Sequence, residues 1–154
     1  MHKENNPDVI APPPLIFLLF LVLGYFLNRI YPLSVLNRPL NIIISAIFFA
    51  YAALTAGLAF YYMKKSGTNI NTRKPTNTIV TISVYSYTRN PIYLSMIILL
   101  IAFALFLNAL WMIIVIPVFV LVMQKGVIER EEAYLENKFG SEYLNYKKRV
   151  RRWI

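Results

Sequence analysis

The residues of this chain best suited to chemistry gather at two places, the stretch Tyr85-Ser86-Tyr87-Thr88-Arg89-Asn90-Pro91-Ile92-Tyr93 and the pair Glu131-Glu132. Pro91 suits the first position of a helix, where its missing N–H is not needed, and Asn90 before it can cap that helix. A helix start presents unpaired N–H groups and partial positive charge, so it favours a carboxylate or a phosphate. Arg89 adds a fixed cation, and Tyr85, Tyr87 and Tyr93 offer aromatic faces with hydroxyl tips. Glu131 and Glu132 follow an apolar run closely and are expected at the depth of the Arg89–Tyr93 start. A carboxylate there suits a ribose diol or an ammonium group. The plainer alternatives are a capped transmembrane helix with an interfacial arginine in an aromatic belt, and a solvated acidic face that balances a basic tail.

Composition narrows the chemistry. The chain has no cysteine, and its single histidine is His2 in the N-terminal tail. Thiolate nucleophiles, disulfides, a Ser-His-Asp triad and a histidine-rich metal site are thereby excluded, and no metal site is expected. The 154 residues are 58% hydrophobic with several unbroken apolar runs, which marks an integral membrane protein of one domain. No nucleic-acid partner is expected.

The elements that must position these residues follow from the apolar runs. Residues 1–13 are polar and proline-rich and are expected to form a flexible tail; Glu4 and Asp8 fit a cleaved signal peptide poorly. Leu15 to Ile30 and Leu40 to Met63 are the first two runs, together residues 14–63. Ala46, Ala50, Ala53, Ala56 and Gly57 recur along the second at helical spacing and are expected to pack against a neighbouring helix. Residues 64–90 form a polar loop with no acidic residue. Ile92 to Leu107 and Ala109 to Lys125, separated by Asn108, predict a tight helical hairpin over 91–126, with Pro117 kinking its second arm. Residues 127–154 predict a helix that continues from the fourth run and stops at Gly140, with Ser141 as cap of the next turn. The expected fold is therefore all-α, with about four transmembrane helices and a helical C-terminal tail.

Charge sets the expected orientation. Lys64, Lys65, Arg73, Lys74 and Arg89 lie in the internal loop and eight cations lie in residues 125–154, whereas only Arg29 and Arg38 flank residues 31–39. The positive-inside rule then puts the loop, the tail and both termini in the cytoplasm. The terminal cluster Arg149-Val150-Arg151-Arg152-Trp153 suits anionic lipid headgroups.

A helix start for a carboxylate and an acid for a diol or an ammonium group together match S-adenosylmethionine. The pattern Thr-Arg-Asn-Pro-Ile-Tyr at 88–93, a helical hairpin, and then Arg-Glu-Glu-x-x-Leu-x-x-x-Phe-Gly-x-x-Tyr-x-x-Tyr-x-x-x-Val from Arg130 resembles the membrane methyltransferase superfamily. That superfamily includes isoprenylcysteine carboxyl methyltransferases and phospholipid N-methyltransferases. The resemblance covers roughly residues 67–154, and its C-terminal part looks closest to the isoprenylcysteine branch. It implies S-adenosyl-L-methionine as cofactor, held by Asn77, Thr78, Ile79 and Val80, by Tyr85, by Asn90, Pro91 and Tyr93, and by Glu131. Three positions depart from the family pattern. Asn90 replaces the usual histidine, and Ser83-Val84 replaces Gly-x before Tyr85. Val127 stands where the isoprenylcysteine branch has an arginine for the methyl-accepting carboxylate, with Lys125 and Arg130 as possible substitutes.

The expected reaction is methyl transfer to a lipophilic or lipidated acceptor that arrives from the bilayer. Arg89 would position the acceptor or the cofactor's carboxylate, and Glu132 or a tyrosine would take the proton of an amine acceptor. The alternatives are a phospholipid N-methyl or small-thiol S-methyltransferase with the same cofactor site, and a non-catalytic membrane protein that packs with partners. The acceptor and the oligomeric state are not legible in the sequence.

Overall fold

The computed structural model describes residues 7–69 and 75–154. His2, Arg73 and Lys74 lie outside these residues. All regular structure among the described residues is helical: α1 (Pro13–Ile30), α2 (Leu40–Lys65), a 3-10 turn (Ser83–Ser86), α3 (Pro91–Phe106), α4 (Leu110–Ile114), α5 (Ile116–Met123), a π turn (Gln124–Ile128), α6 (Glu129–Phe139) and α7 (Ser141–Arg149). From α4 to α6 the helix runs almost unbroken from Leu110 to Phe139, interrupted at Val115 just ahead of Pro117. Three helices are long and apolar enough to cross a bilayer: α1, α2 and Leu110–Phe139. α3 is apolar but has 16 residues, which is short for a crossing.

The core lies where α1, α3 and α5 meet. Phe20 of α1 packs edge to face on Phe119 of α5, their ring centroids 5.5 Å apart. Ile16, Leu100, Met123, Val127 and Ile128 complete the cluster. Val127 is fully enclosed there, because the π turn points it into the bundle.

α2 packs along α3, but not through the face expected. Ala46, Ala50, Ala53 and Gly57 are exposed, while Asn41, Ser45, Ala52, Thr55 and Ala59 are buried against the bundle. Both faces carry small residues. Hydropathy does not separate a protein-facing stripe from a lipid-facing one, because lipid tails are as apolar as a helix neighbour.

Asn108 does more than separate the arms of the hairpin. It adopts a positive φ of 52°, and its Oδ1 accepts hydrogen bonds from the N–H groups of Val35 (2.8 Å) and Leu36 (3.1 Å). The Trp111 indole donates to the Tyr31 carbonyl at 2.8 Å. These bonds tie the hairpin turn to the α1–α2 loop at the end of the bundle away from the glutamate pair.

At the other end, two segments fold back onto the helices. Pro7–Pro12 is seated rather than loose: Ile10 N–H donates to the Gly126 carbonyl at 3.1 Å, and Pro7 is buried. The expectation of a flexible tail over 1–13 is corrected for this part. Gly140, with φ +53°, ends α6 as expected. Ser141 is not a cap, however; it is the first residue of α7, and Gly140 takes the cap position.

Candidate functional site

A cavity of about 150 Å³ opens at the end of the bundle that holds both folded-back segments. Its walls come from the end of α2, the 68–69 and 76–80 stretches, the 3-10 turn, the start of α3, α6, α7 and Pro7. Thr78, Ile79, Val80, Tyr85, Asn90, Pro91, Tyr93 and Glu131 all line it, although more than fifty residues separate the first from the last. Asn77 does not line it. Its side-chain amide donates to the Gly67 carbonyl at 2.9 Å and its backbone N–H to Thr68 Oγ1 at 3.2 Å, which fixes the approach of the 76–80 stretch.

The two glutamates have different surroundings because consecutive helix residues point about 100° apart. Glu131 turns towards the cavity and is partly buried. Tyr93 donates its hydroxyl to Glu131 Oε1 at 2.7 Å, and the other oxygen has no hydrogen-bond partner among the described residues. Glu132 also lines the cavity, but its carboxylate is held in a cluster of cations. Arg89 Nη2 lies 2.7 Å from its Oε1 and Arg152 Nη2 lies 2.7 Å from its Oε2, with Arg152 Nε donating to Oε1 at 3.1 Å. The Arg89 and Glu132 side chains are only 8% and 7% exposed. Glu132 in turn holds Arg152 more firmly in its protonated form.

Arg89 also fastens the C-terminal segment through the backbone. Its Nη1 donates to the carbonyls of Val150 (2.7 Å) and Lys147 (3.2 Å), and its own N–H donates to the Arg151 carbonyl at 3.0 Å. Thr88 Oγ1 and Asn90 Nδ2 both donate to the Arg152 carbonyl, at 3.1 and 2.9 Å. Asn90 is therefore not the side-chain cap that its position before Pro91 suggests. The Arg152 carbonyl takes its amide, and no side chain caps α3. The first-turn N–H groups of α3 consequently face the cavity without a protein cap.

Lys147 pairs with Glu136, and Tyr146 donates its hydroxyl to the Tyr85 carbonyl at 2.7 Å. Burial raises the Tyr85, Tyr143 and Tyr146 hydroxyls above the usual tyrosine range, so all three stay protonated donors at neutral pH.

Neither suggested substitute for a cation at position 127 reaches the site. Lys125 is exposed and pairs with Glu129 at 3.2 Å, and Arg130 donates to the Asp8 carbonyl. Arg89 is the only cationic residue lining the cavity among the described residues. Its Nε is buried and has no hydrogen-bond partner.

The donor set suits a ligand with opposite needs at its two ends. An open carboxylate oxygen on Glu131 accepts from hydroxyl or ammonium groups, and an uncapped helix start donates to a carboxylate. Tyr85 and Tyr93 supply aromatic surface between them. A bundle of apolar helices with a polar cavity at one end is the architecture of an integral membrane protein with a binding site, and its family suggests methyl transfer. Residues 40–142 match the phospholipid methyltransferase family, and the chain belongs to that family, part of the superfamily whose motifs its sequence resembles. The match takes in α2, a helix in which the sequence motifs gave no resemblance beyond apolarity. The chain is also similar to an uncharacterized protein of Haemophilus influenzae, 50% identical over 64 residues that span 40% of this chain and 98% of that protein. No solved structure matches the chain.

Proposed function

We propose that this protein transfers a methyl group from S-adenosylmethionine to a lipophilic acceptor held in the bilayer. The observation that carries the reading is the Glu131 carboxylate, open on one oxygen, facing the uncapped start of α3 across one cavity in a chain of this family. Glu131 accepts from the ribose hydroxyls or the ammonium group, and the first-turn N–H groups of α3 receive the carboxylate. Thr78, Ile79, Val80 and Tyr85 form the facing wall. When bound, the cofactor supplies an activated methyl group on a sulfonium. The protein's part is to align the acceptor and to exclude water.

Arg89 and Glu132 act as positioning residues in this reading, because they hold each other and the C-terminal segment. Both Glu132 oxygens are engaged by guanidinium groups, which makes it an anchor rather than the base for an amine acceptor. Arg89 Nε remains available to an anionic oxygen of acceptor or cofactor. The absence of a cavity-lining cation at position 127 weighs against a prenylcysteine carboxylate as acceptor. The basic loop and tail meet at the cavity end, which supports a cytoplasmic site.

Calorimetry with S-adenosylmethionine on detergent-purified protein tests the reading. Binding is expected, and it is expected to be weakened in Glu131→Ala and, by less, in Tyr93→Ala. An unmutated protein that does not bind the cofactor overturns it. Membranes incubated with methyl-labelled cofactor and offered phosphatidylethanolamine, a prenylcysteine or a small thiol then identify the acceptor class.

A further inference from the structure

We propose that the strap Pro7–Pro12, seated on Gly126, is the gate through which a lipophilic acceptor passes between the bilayer and the cavity. The proposal takes its acceptor from the methyl-transfer reading above, but the access route it describes is testable without turnover.

Pro7 is buried and lines the cavity, so the strap is part of the wall. At its other end it runs directly into α1 at Pro13. Leu15, Leu18, Leu19 and Val22 of α1 are exposed, which places lipid-facing surface immediately beside the strap. The strap thus stands between the bilayer and the cavity. Apart from Asp8 its residues are apolar (Pro7, Val9, Ile10, Ala11 and Pro12), unlike the carboxylate and the threonine-bearing stretch that line the cavity elsewhere.

Its fastening is slight and specific. Ile10 donates its N–H to the Gly126 carbonyl within the π turn, and the Ile10 side chain occupies the space that a larger residue at 126 would fill. A Cβ at position 126 would sit 2.3 Å from Ile10 Cδ1 and 2.7 Å from Cγ1. Among the described residues, the remaining ties are the hydrogen bond from exposed Arg130 to the Asp8 carbonyl, those from Leu15 and Ile16 to the Pro12 carbonyl where the strap joins α1, and the packing of Val9 and Ala11 on the core. Segments held by so few contacts open at low free-energy cost. The strap lies outside the residues 40–142 that match the family.

The test uses the full chain in liposomes. The chain has no native cysteine, so Met63→Cys places a single thiol on the cavity wall. Alkylation is followed with two reagents, bilayer-borne dodecylmaleimide and a membrane-impermeant sulfonated maleimide. Adding Gly126→Ala unseats Ile10 and raises the open population of the strap. The dodecylmaleimide rate is expected to rise about tenfold, while the sulfonated reagent changes by less than about twofold. Adding Ile10→Ala to Gly126→Ala makes room for the new methyl group and returns the rate towards that of the Met63→Cys parent. Should Gly126→Ala fail to fold, Ile10→Asp loosens the strap from its own side.

Equal dodecylmaleimide rates with the strap seated and unseated overturn the proposal. Equal acceleration of both reagents also overturns it, because the strap would then shield the cavity from water rather than from lipid. Cofactor binding measured on the same variants separates this outcome from failure of the methyl-transfer reading.

Discussion

The C-terminal segment, residues 147–152, and the N-terminal strap, Pro7–Pro12, reach the same cavity and are fastened by different physics. The C-terminal segment is clamped by buried charge: Glu132 pairs with Arg89 and Arg152, and backbone carbonyls of Lys147, Val150 and Arg152 accept from Arg89 and Asn90. The N-terminal strap has one backbone hydrogen bond to the π turn, two from the first turn of α1 to the Pro12 carbonyl, one long-range side-chain bond and an apolar side chain set against a glycine. Removing one partner of a buried ion pair leaves an uncompensated charge, so the first fastening is all or none. The second can open and close without disturbing the bundle. One end of the chain is therefore built as structure and the other as access.

The strongest way to break this comparison is to attack the clamp. Glu132→Ala is expected to destabilise the protein by about 3–5 kcal/mol, because it leaves the buried Arg89 without an acidic partner and Arg152 with only Glu129. Denaturation in detergent measures the loss, and limited proteolysis should release the segment after Gly140. A loss well under 1 kcal/mol would show that the clamp holds nothing.

Between the two segments, Glu131→Ala should weaken S-adenosylmethionine by about 1.5–3 kcal/mol, the value of hydrogen bonds to a charged group. Stability should change less than in Glu132→Ala. Comparable unfolding losses in the two variants would erase the distinction between the glutamates.

Tyr146→Phe leaves the buried Tyr85 carbonyl without its partner and should cost about 1–2 kcal/mol. The buried tyrosines add a pH signature. Their hydroxyls hold their protons to higher pH in the folded state than in the unfolded one. Their contribution is constant below about pH 10, the ordinary tyrosine value, and stability falls above it. Tyr146→Phe should flatten that alkaline fall, and an unchanged slope would remove Tyr146 from it. The smallest effect is expected at the solvent-screened Lys125–Glu129 pair, where Lys125→Ala should leave the denaturation midpoint unchanged.

Much of this was legible in the sequence because it depends on local composition. Runs of apolar residues gave the helices to within a few residues at most ends, and Pro117 and Gly140 marked a break and a stop. The meeting of Glu131 with the start of α3 was anticipated from depth alone. The clamp was less legible. Arg89 and Glu132 drew attention as reactive groups, and their mutual pairing uses backbone carbonyls near the C-terminus that any residue type could supply. Asn90 holds the cap position, but its side chain makes no cap hydrogen bond and its amide donates to the distant Arg152 carbonyl. The strap left almost no trace, because Pro7, Ile10 and Pro12 read as a polar, proline-rich tail until a glycine more than a hundred residues away supplies the seat. The buried face of α2 was illegible for a different reason, since small residues occupy both sides of that helix.

The π turn at Gln124–Ile128 has a further consequence in the arithmetic of the chain. A π turn stores one residue more than a regular helix of the same height requires. The segment from α5 to α6 therefore carries a removable unit of slack, with the exposed Lys125 inside it. A chain shortened by that one residue could close into uninterrupted α register and still aim Glu131 at the cavity. It would lose the widened turn on which Ile10 rests, and so separate, by a single deletion, the part of the helix that faces the cavity from the part that seats the strap.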